Sequence, residues 1–406
     1  MEVVIFWIYV ASFLDLFAVS LFIPLMSARL RELGASHFLM GCMTSVYALT
    51  QLVSGPVIGS WSDRIGRQQI LFFSLISVSC CYTALGLIDS LVLILCFRAI
   101  LGIFKHTQVL IRTIITDRVP GDQQTLVFGY LKAVAGVSFT IGPAIGGNLA
   151  ELENGFSYIC YIVGVFFLLN AAVVYFFLND LPTPKSSMNS TATREAEKRK
   201  QEGSIMQAIR DLASVDWPIY WDIFALKFLM DFSTGAFHNN YSLKLRERFD
   251  LTPKAAGYTI SLQSFVGVLA GLMVDKVNQR FYKQDHFYTE RNLHGYTLMV
   301  IAYLGIAASQ HISIFMVWSM LLRSIHMFLR IVMTEMTIRR CPPSQKGSII
   351  GSSNSISNIA RLMTPLITGY IEDLWGPNSS NLLAAAAATF GLLVPMTFRH
   401  QQQKIS

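Results

Sequence analysis

Charged residues are scarce in this sequence. Only 14% of its 406 residues are Asp, Glu, Lys or Arg, whereas 53% are hydrophobic, and the mean hydropathy is +0.47. Soluble domains carry about a quarter charged residues, and a soluble chain this apolar would expose more apolar surface than its polar residues could cover. The composition therefore excludes an ordinary soluble protein and indicates an integral membrane protein.

Cysteine motifs and enzyme motifs are also missing. The six cysteines form no CxxC pair and most lie in apolar runs, which argues against a disulfide framework or a zinc site. The chain has no phosphate-binding G-x-x-x-x-G-K-[ST] loop, no HExxH and no nucleophile elbow. We therefore expect neither an enzyme nor a primary pump, and no metal or cofactor. No basic stripe interleaved with aromatic residues indicates a nucleic-acid partner.

Apolar runs of membrane-spanning length recur along the chain. An α-helix needs roughly 20 apolar residues to cross a bilayer, and breaker residues separate twelve such runs. The sequence predicts an all-α integral membrane fold with twelve transmembrane helices in two six-helix bundles. The spans are predicted over residues 3–26, 38–60, 69–88, 90–112, 126–150, 156–178, 218–241, 255–275, 293–309, 311–333, 348–371 and 381–398.

A polar segment separates the sixth and seventh spans. It reads LPTPKSSMNSTATREAEKRKQEGS and is typical of a flexible linker. Ile205, Ile209 and Leu212 then recur at helical spacing, which predicts a short amphipathic helix at the membrane surface. The predicted domains are a bundle over residues 1–180, a linker over 181–215 and a second bundle over 216–406. Six spans on each side of a linker indicate a duplicated architecture.

Basic residues predict the orientation of the spans. Lys and Arg concentrate in the loops that are cytoplasmic when the N-terminus is inside, so we expect both termini in the cytoplasm. The sequons at Asn240 and Asn378 then lie outside, and the sequon at Asn189 lies in the cytoplasmic linker. The first run contains Asp15 and has no basic n-region, so it is expected to be a retained span. Plasma membrane and intracellular membranes remain equal alternatives.

The turn between the second and third predicted spans reads GSWSDRIGRQQ. Its pattern Gly-x-x-x-Asp-Arg-x-Gly-Arg resembles the signature of the major facilitator superfamily. RAILG in span four resembles a further element of that family, and GVSFTIGPAIGG in span five resembles its antiporter-associated pattern. LDLFAVSLFIP in span one is similar to an element of its drug:proton antiporters. GIFKHT and AELENGF resemble an orphan branch of animal members. The residues that match the turn and span five are Gly59, Asp63, Arg64, Gly66, Arg67, Gly136, Gly142, Pro143, Gly146 and Gly147.

The resemblance implies a cytoplasmic gate at this turn. Arg67 would pair with Asp117, and Asp63 would face the start of span eleven, near residues 347–348. The glycines of span five would allow close helix packing. The second half keeps only GLMVDK, with Gly271 and Asp275 but without a following Gly-Arg pair, which puts a second gate in doubt.

Ionisable residues inside the spans indicate a translocation pathway, because such residues are costly in a membrane and usually face a cavity or a partner. Arg98, Lys105 and Arg112 recur at i, i+7, i+14 and would share one helix face. Lys227 and Asp231 are spaced to pair. The candidate substrate and proton pathway comprises Asp15, Arg98, Lys105, Lys227, Asp231, Arg323, His326 and Arg361.

These residues and the resemblance together predict a function. Cations outnumber carboxylates among them, which favours a substrate that is anionic or carries an acidic group. We expect a monomeric secondary transporter in the bilayer that moves a small organic solute by alternating access, with antiport against protons carried by Asp15. The alternative is a sensor, receptor or trafficking partner on the same fold, from which a measurement of solute flux would distinguish it.

Overall fold

The computed structural model describes residues 2–178, 217–285, 287–341 and 346–402. These residues form fourteen helices and, within those ranges, no strand. The predicted linker over 181–215 and its amphipathic helix lie outside the described residues. The first seven helices are α1 (Glu2–Glu32), α2 (His37–Ile65), α3 (Arg67–Leu85), α4 (Leu91–Phe104), α5 (Thr107–Arg118), α6 (Gly121–Ala150) and α7 (Gly155–Phe177).

The other seven helices belong to the second half of the chain. They are α8 (Trp217–His238), α9 (Tyr241–Phe249), α10 (Pro253–Phe281), α11 (Thr289–Ala308), α12 (Ile312–Arg340), α13 (Lys346–Trp375) and α14 (Ser379–Gln402). Among the described residues, nine segments are long and apolar enough to cross a membrane, with α4 and α5 counted together as one. Helices α8, α11 and α13, of 22, 20 and 30 residues, lie at three further predicted spans. The predicted all-helical membrane fold is confirmed.

The chain divides into two compact units. Unit 1 contains the described residues of Met1–Ala35, Val46–Gln207 and Leu251–Ser261, and unit 2 those of Ser36–Ser45, Ala208–Asp250 and Leu262–Ser406. The start of α2 thus belongs to unit 2 and the start of α10 to unit 1. The predicted domain boundaries at residues 180 and 216 fall in the part of the chain that is not described and stay predictions.

Both units use the same helix pairings. In unit 1, α1 packs against α6 and α7, and α3 packs against α7. In unit 2, α8 packs against α13 and α14, and α11 packs against α14. The first span of each unit therefore contacts the fifth and the sixth, and the third contacts the sixth. This repetition fits the duplicated architecture expected from the sequence.

Small residues of α6 allow its close packing in unit 1. A Cβ atom at Gly142 would lie 1.7 Å from Ser20 Oγ, and one at Gly146 would lie 2.3 Å from the carbonyl oxygen of Leu21 in α1. On another face, a Cβ at Gly147 would lie 2.7 Å from the carbonyl oxygen of Pro253, at the start of α10. Larger side chains would force these helices apart. Pro143 is buried in the same stretch, and the carbonyl of Gly136 accepts a hydrogen bond from Thr140 Oγ1 at 2.8 Å.

Span four is broken, although the sequence predicted one continuous helix. Helix α4 ends at Phe104 and α5 begins at Thr107. Gln51 Nε2 of α2 donates to the carbonyl oxygen of Lys105 at 2.7 Å, and Ser54 Oγ lies 2.9 Å from His106 Nε2. Gln51 thus satisfies a backbone carbonyl freed by the break, a recognised way for a helix to be interrupted in a membrane. Arg98, Lys105 and Arg112 therefore do not share one uninterrupted helix face.

A short helix that the sequence did not predict, α9, follows α8. Lys244 Nζ donates to the carbonyl oxygens of Ala236 and Phe237 at 2.9 and 3.4 Å and lies 3.0 Å from Glu372 Oε1. Burial lowers the pKa of Lys244, while the Glu372 carboxylate opposes that change. The buried ammonium thus caps the carboxyl end of α8, where a cation is favourable.

Arg248 performs the same task for α11. Its guanidinium donates to the carbonyl oxygens of Ile306 and Ala307 at 2.9 Å each. It also donates to Asn378 Oδ1 at 3.0 Å, while Asn378 Nδ2 donates to Ala307. Asn240 is buried and donates to Glu372 at 3.3 Å. The side-chain amides of both sequons predicted to lie outside are therefore engaged within unit 2.

Candidate functional site

The best-defined polar site in the membrane-spanning part of unit 1 is the Asp15 pair, which consists of Asp15 of α1 and Lys105 at the break in span four. Lys105 Nζ donates to Asp15 Oδ1, and the side chains of Lys105 and Asp15 are 10% and 1% exposed. Gln108 Nε2 donates to Asp15 Oδ2 at 2.9 Å, and Ser12 Oγ donates to Gln108 Oε1 at 3.3 Å. Both carboxylate oxygens are therefore bonded, as a buried charge requires.

Arg98 is not the partner of Asp15. Its guanidinium lies over the rings of Tyr47 and Phe22, at 5.5 and 5.9 Å from the ring centroids, which are cation–π distances. Its buried Nε atom has no hydrogen-bond partner among the described residues. The break in span four brings Lys105, rather than Arg98, into contact with Asp15 of α1.

The predicted pathway residues of α8 do not pair. Lys227 and Asp231 are both partly buried, and the described residues contain no ion pair between them. Asp231 Oδ2 is buried without a hydrogen-bond partner in the same ranges. Asp222, in contrast, accepts a hydrogen bond from Arg340 Nη1 at the end of α12. The i, i+4 spacing of Lys227 and Asp231 is compatible with an ion pair, but the two side chains do not form one.

The predicted residues of α12 and α13 have different surroundings. His326 is buried, and its Nε2 lies 3.0 Å from the hydroxyl of Tyr303. Arg323 packs against Gly267, where an added Cβ would lie 2.8 Å from Arg323 Nε. Arg361 is exposed on α13. The structure brings Arg323 and His326 together on α12, and it gives Arg361 no buried position.

The turn between α2 and α3 is held by the Arg67 cluster, which we define as Ser62, Asp63, Arg67 and Asp117. Arg67 Nε donates to Asp117 Oδ2 at 3.0 Å, Nη1 donates to Ser62 Oγ at 2.7 Å, and Nη2 pairs with Asp63 Oδ1. Gly66 alone separates the two helices, with a φ of 124°, a conformation that favours glycine. The pairing of Arg67 with Asp117 that the resemblance implied is present.

The other motif residues of this turn make fewer contacts. Arg64 is exposed, and a Cβ atom at Gly59 would meet nothing within 4 Å. The predicted contact of Asp63 with residues 347–348 involves side chains outside the described part of the structure and stays a prediction.

The second half has a corresponding Arg291 cluster, which we define as Tyr282, Asp285, Arg291 and Glu335. Arg291 Nη2 donates to the carbonyl oxygen of Tyr282 at 2.9 Å, and its backbone N–H donates to Asp285 Oδ2 at 2.9 Å. The guanidinium lies 3.7 Å from both Asp285 Oδ2 and Glu335 Oε2. The sequence had left a second gate in doubt because the motif in the second half stops at GLMVDK. The residues of the Arg291 cluster follow that stretch in the sequence, so the motif did not include them.

A third polar cluster lies at the start of α2, within unit 2. The two carboxylate oxygens of Asp373 accept hydrogen bonds from the backbone N–H groups of His37 and Phe38, each at 2.9 Å. Although burial works against ionisation, these bonds and those from the side chains of Ser36 and His37 lower the pKa of Asp373. The His37 ring lies 3.0 Å from Asp373 and 3.2 Å from Glu247. Asp373 therefore caps the first turn of α2.

Sequence reasoning missed several residues of these clusters. Gln51 and Gln108 are polar residues inside apolar runs, and Asp373 directly follows another acidic residue near the end of a span. Such positions are the only signal that the sequence offered for them. No group of three or more His, Cys, Asp or Glu side chains that could hold a metal ion occurs in the described ranges.

Solved structures share this arrangement of helices. A bacterial homologue of the human lysosomal transporter Spinster superposes with a TM-score of 0.78 at 14% identity, covering 98% of this chain and 97% of that one. The human organic anion transporter MFSD10 (TETRAN) superposes with a TM-score of 0.67 at 19% identity, covering 97% and 99%. At these identities the likeness shows the fold alone.

The family is established by the sequence itself. Residues 8–322 match the family described as Major Facilitator Superfamily. The chain therefore belongs to this superfamily. It is also 24% identical over 369 residues to multidrug resistance protein 2 of Bacillus subtilis (strain 168), covering 89% of this chain and 87% of that protein. Neither the family nor this relative indicates a catalytic activity.

Proposed function

We propose that the protein is a secondary active transporter that moves a small organic solute with an acidic group by alternating access. Membership of the superfamily supports secondary transport. The observation that carries the rest is the Asp15 pair, a bonded charge pair with a 1% exposed carboxylate at a break in a spanning helix. Ionisable groups and irregular backbone at this depth are the usual marks of a solute or ion pathway.

A surplus of cations supports an acidic solute. Among the candidate pathway residues, the carboxylate of Asp15 is balanced by Lys105 and Asp231 supplies the other carboxylate, whereas Arg98 and Arg323 each present a buried Nε atom without a hydrogen-bond partner among the described residues. Guanidinium donors left unbonded in a low-dielectric site favour a carboxylate, sulfonate or phosphate acceptor. Preference for organic cations over organic anions would contradict this part of the proposal.

We further propose that protons drive transport and that Asp15 carries them. A buried carboxylate that is charge-balanced by a single ammonium is suited to gain or lose a proton when its partner moves. The span-five pattern resembles that of antiporters, which exchange solute for protons. We also propose that both termini are cytoplasmic and that the transporter acts as a monomer.

Within the superfamily, we infer a relationship with one group of animal transporters. GIFKHT, at residues 102–107, and AELENGF, at residues 150–156, resemble the orphan called major facilitator superfamily domain-containing protein nine. GIFKHT contains the break in span four, with Lys105 and His106. This resemblance names no substrate.

The experiment that tests the proposal measures proton movement in proteoliposomes. The purified full chain is reconstituted, and organic anions and cations are added in turn while the internal pH is followed. We expect a pH change with some anions that is lost in Asp15→Asn. The matched control is Asp122→Asn, because Asp122 is an exposed carboxylate in the first turn of α6.

If folded protein gives no pH change with any member of a broad panel, the alternative of a sensor, receptor or trafficking partner is favoured. A pH change that persists in Asp15→Asn would leave transport in place but remove Asp15 as the carrier. These two results separate the function from the role of the residue.

A further inference from the structure

His37, at the start of α2, lies between two carboxylates of other helices in unit 2. Its Nδ1 atom lies 3.0 Å from Asp373 Oδ1 near the end of α13, and its Nε2 atom lies 3.2 Å from Glu247 Oε2 in the last turn of α9. The histidine is buried. An ionised carboxylate only accepts hydrogen bonds, so both ring nitrogens must carry a hydrogen to make both contacts. This arrangement therefore fits the positively charged imidazolium ring.

Asp373 is held in place whether or not the ring is charged. The backbone N–H groups of His37 and Phe38 donate to its two oxygens, and although burial opposes ionisation, these bonds lower the pKa of this carboxyl. A neutral imidazole keeps one hydrogen, and from Nδ1 that hydrogen can still be donated to the ionised Asp373. The lone pair of Nε2 then faces Glu247, which only accepts. Loss of the proton therefore removes the bond between α2 and α9 and keeps the bond between α2 and α13.

Helix α9 has other anchors, in which His37 takes no part. The segments next to His37 carry further charged residues, namely Arg31 and Glu32 before α2, Lys244, Arg246 and Arg248 in α9, and Glu372 in α13. Lys244 pairs with Glu372 at 3.0 Å, and Arg248 donates to the carbonyl oxygens of Ile306 and Ala307. These bonds keep α9 in place, so loss of the proton from His37 loosens the contact of α9 with α2 without unfolding either helix.

We propose that His37 is a pH sensor, whose charged ring ties the start of α2 to α9 and whose neutral ring releases that tie. Histidine is the side chain that ordinarily gains or loses its charge in the physiological pH range. The tie is present below the pH at which the ring loses its proton and is lost above it. With both termini in the cytoplasm, as proposed above, the start of α2 faces the outer side of the membrane, and the sensor responds to the pH on that side. This role goes beyond the proposed function, since it involves neither the solute nor a transported proton.

The first test measures the tie without any solute. Hydrogen–deuterium exchange of the purified full chain in nanodiscs is followed from about pH 5 to about pH 9, and the intrinsic pH dependence of amide exchange is divided out. We expect the amides of α9 and of the first turn of α2 to exchange about fivefold faster above the transition than below it, because a hydrogen bond to a charged group is lost.

Three variants decide the origin of this change. His37→Gln and Glu247→Gln should both abolish it, since a Gln amide at residue 247 can donate to the ring as well as accept from it. His311→Gln is the matched control and should keep the change, because His311 is an exposed histidine at the start of α12 in the same unit. Glu247→Gln leaves the bonds of Asp373 intact, so it decides the matter even if His37→Gln fails to fold. A wild type without the change, or a change that persists in Glu247→Gln, overturns the proposal.

The second test observes the ring itself. Nitrogen-15 NMR spectra are recorded for the full chain with labelled histidine, and the signals of His37 are those missing from His37→Gln. We expect both ring nitrogens to be protonated at about pH 5 and only Nδ1 to be protonated above the transition. A neutral ring with its hydrogen on Nε2 would keep the bond to Glu247, and a ring that stays charged up to about pH 9 would sense nothing; either result overturns the proposal. Neither test needs transport, so the sensor and the proposed function can fail separately.

Discussion

The turns that follow the second span of each half differ in length and backbone conformation but contain similar ion pairs. In unit 1, one residue, Gly66, joins α2 to α3, and Arg67 follows at once. In unit 2, residues 282–288 join α10 to α11, and Arg291 lies in the first turn of α11. Each arginine contacts a carboxylate of the preceding segment and one near the end of the fourth span, Asp117 or Glu335.

Both halves therefore place an arginine between two carboxylates at this turn, although only the first half carries the complete sequence motif. The short turn needs glycine, because its φ of 124° is unfavourable for any other residue. The longer connection reaches the same arrangement with Tyr288 at a φ of 61° and with contacts spread over more residues. Arg67 lies closer to its carboxylates than Arg291 does, so we expect the first cluster to contribute more stability.

The cysteines allow the stabilities of the two units to be measured separately. In a background that replaces Cys42, Cys80 and Cys96 by Ser, buried Cys81 and Cys160 report on unit 1, and buried Cys341 reports on unit 2. Thermal unfolding followed with a thiol-reactive dye then gives a stability for each unit, in wild type and in each variant.

The largest effect is expected at the glycine that only the short turn requires. Gly66→Ala should destabilise unit 1 by about 3 kcal/mol, because a Cβ atom is strained in this region of φ and ψ. Gly271→Ala is the matched control, since an added Cβ would meet only Met327 Cε at 3.5 Å. Equal effects of the two substitutions would show that the turn does not depend on this conformation.

Removal of the arginines should follow in size. Arg67→Gln should destabilise unit 1 by about 2 kcal/mol, since it removes the guanidinium that bonds Ser62, Asp63 and Asp117 together. Arg291→Gln should destabilise unit 2 by about half as much, because the backbone N–H of residue 291 still holds Asp285. A larger loss for Arg291→Gln would reverse our ranking of the two clusters.

A smaller effect is expected where a backbone, rather than an arginine, holds the carboxylate. Asp373→Asn should destabilise unit 2 by about 1 kcal/mol near neutral pH, as loss of a charged helix cap does. The folded-state pKa of Asp373 is lowered, so its contribution is present above the unfolded pKa of about 4 and lost as the pH falls through the folded value. The difference between wild type and Asp373→Asn should therefore shrink on acidification, and a constant difference would contradict the capping role.

The smallest effect is expected at the motif residue without a buried contact. Arg64 is exposed, so Arg64→Gln should change the stability of unit 1 by less than about 0.5 kcal/mol. The measurement is the temperature at which Cys81 and Cys160 react. A loss comparable with that of Arg67→Gln would reveal a contact of Arg64 beyond the described residues.

The fold could be predicted from the sequence because its signal is local. Each spanning helix is encoded by its own apolar run, and the predicted spans agree with the helices to within a few residues in most cases. The break at Lys105 is not local, because it depends on Gln51, which lies in another helix. Hydropathy alone therefore joined α4 and α5 into one.

The candidate site was predictable in its residue types but not in its pairings. Asp15 and Lys105 were both selected as costly charges in apolar runs, yet periodicity could not show that they meet, because it assumed an unbroken helix. Lys227 and Asp231 illustrate the opposite error, since favourable spacing did not produce a pair. Arg291 was not predicted because a motif is defined by spacing along the sequence, whereas an ion pair depends on the distance between side chains in the folded protein.

The buried Lys244 has a consequence for the way the chain is made. The carboxyl end of α8 is capped by Lys244, whose counter-charge is Glu372, a residue that leaves the ribosome long afterwards. In unit 1, Asp15 has already been synthesised when Lys105 is translated, so this buried ion pair can form at that point. A nascent chain that stops before Glu372 keeps the Lys244 ammonium at the end of α8 without the carboxylate that contacts it in the folded unit. Translation through Glu372 therefore completes the charge balance at the carboxyl end of α8.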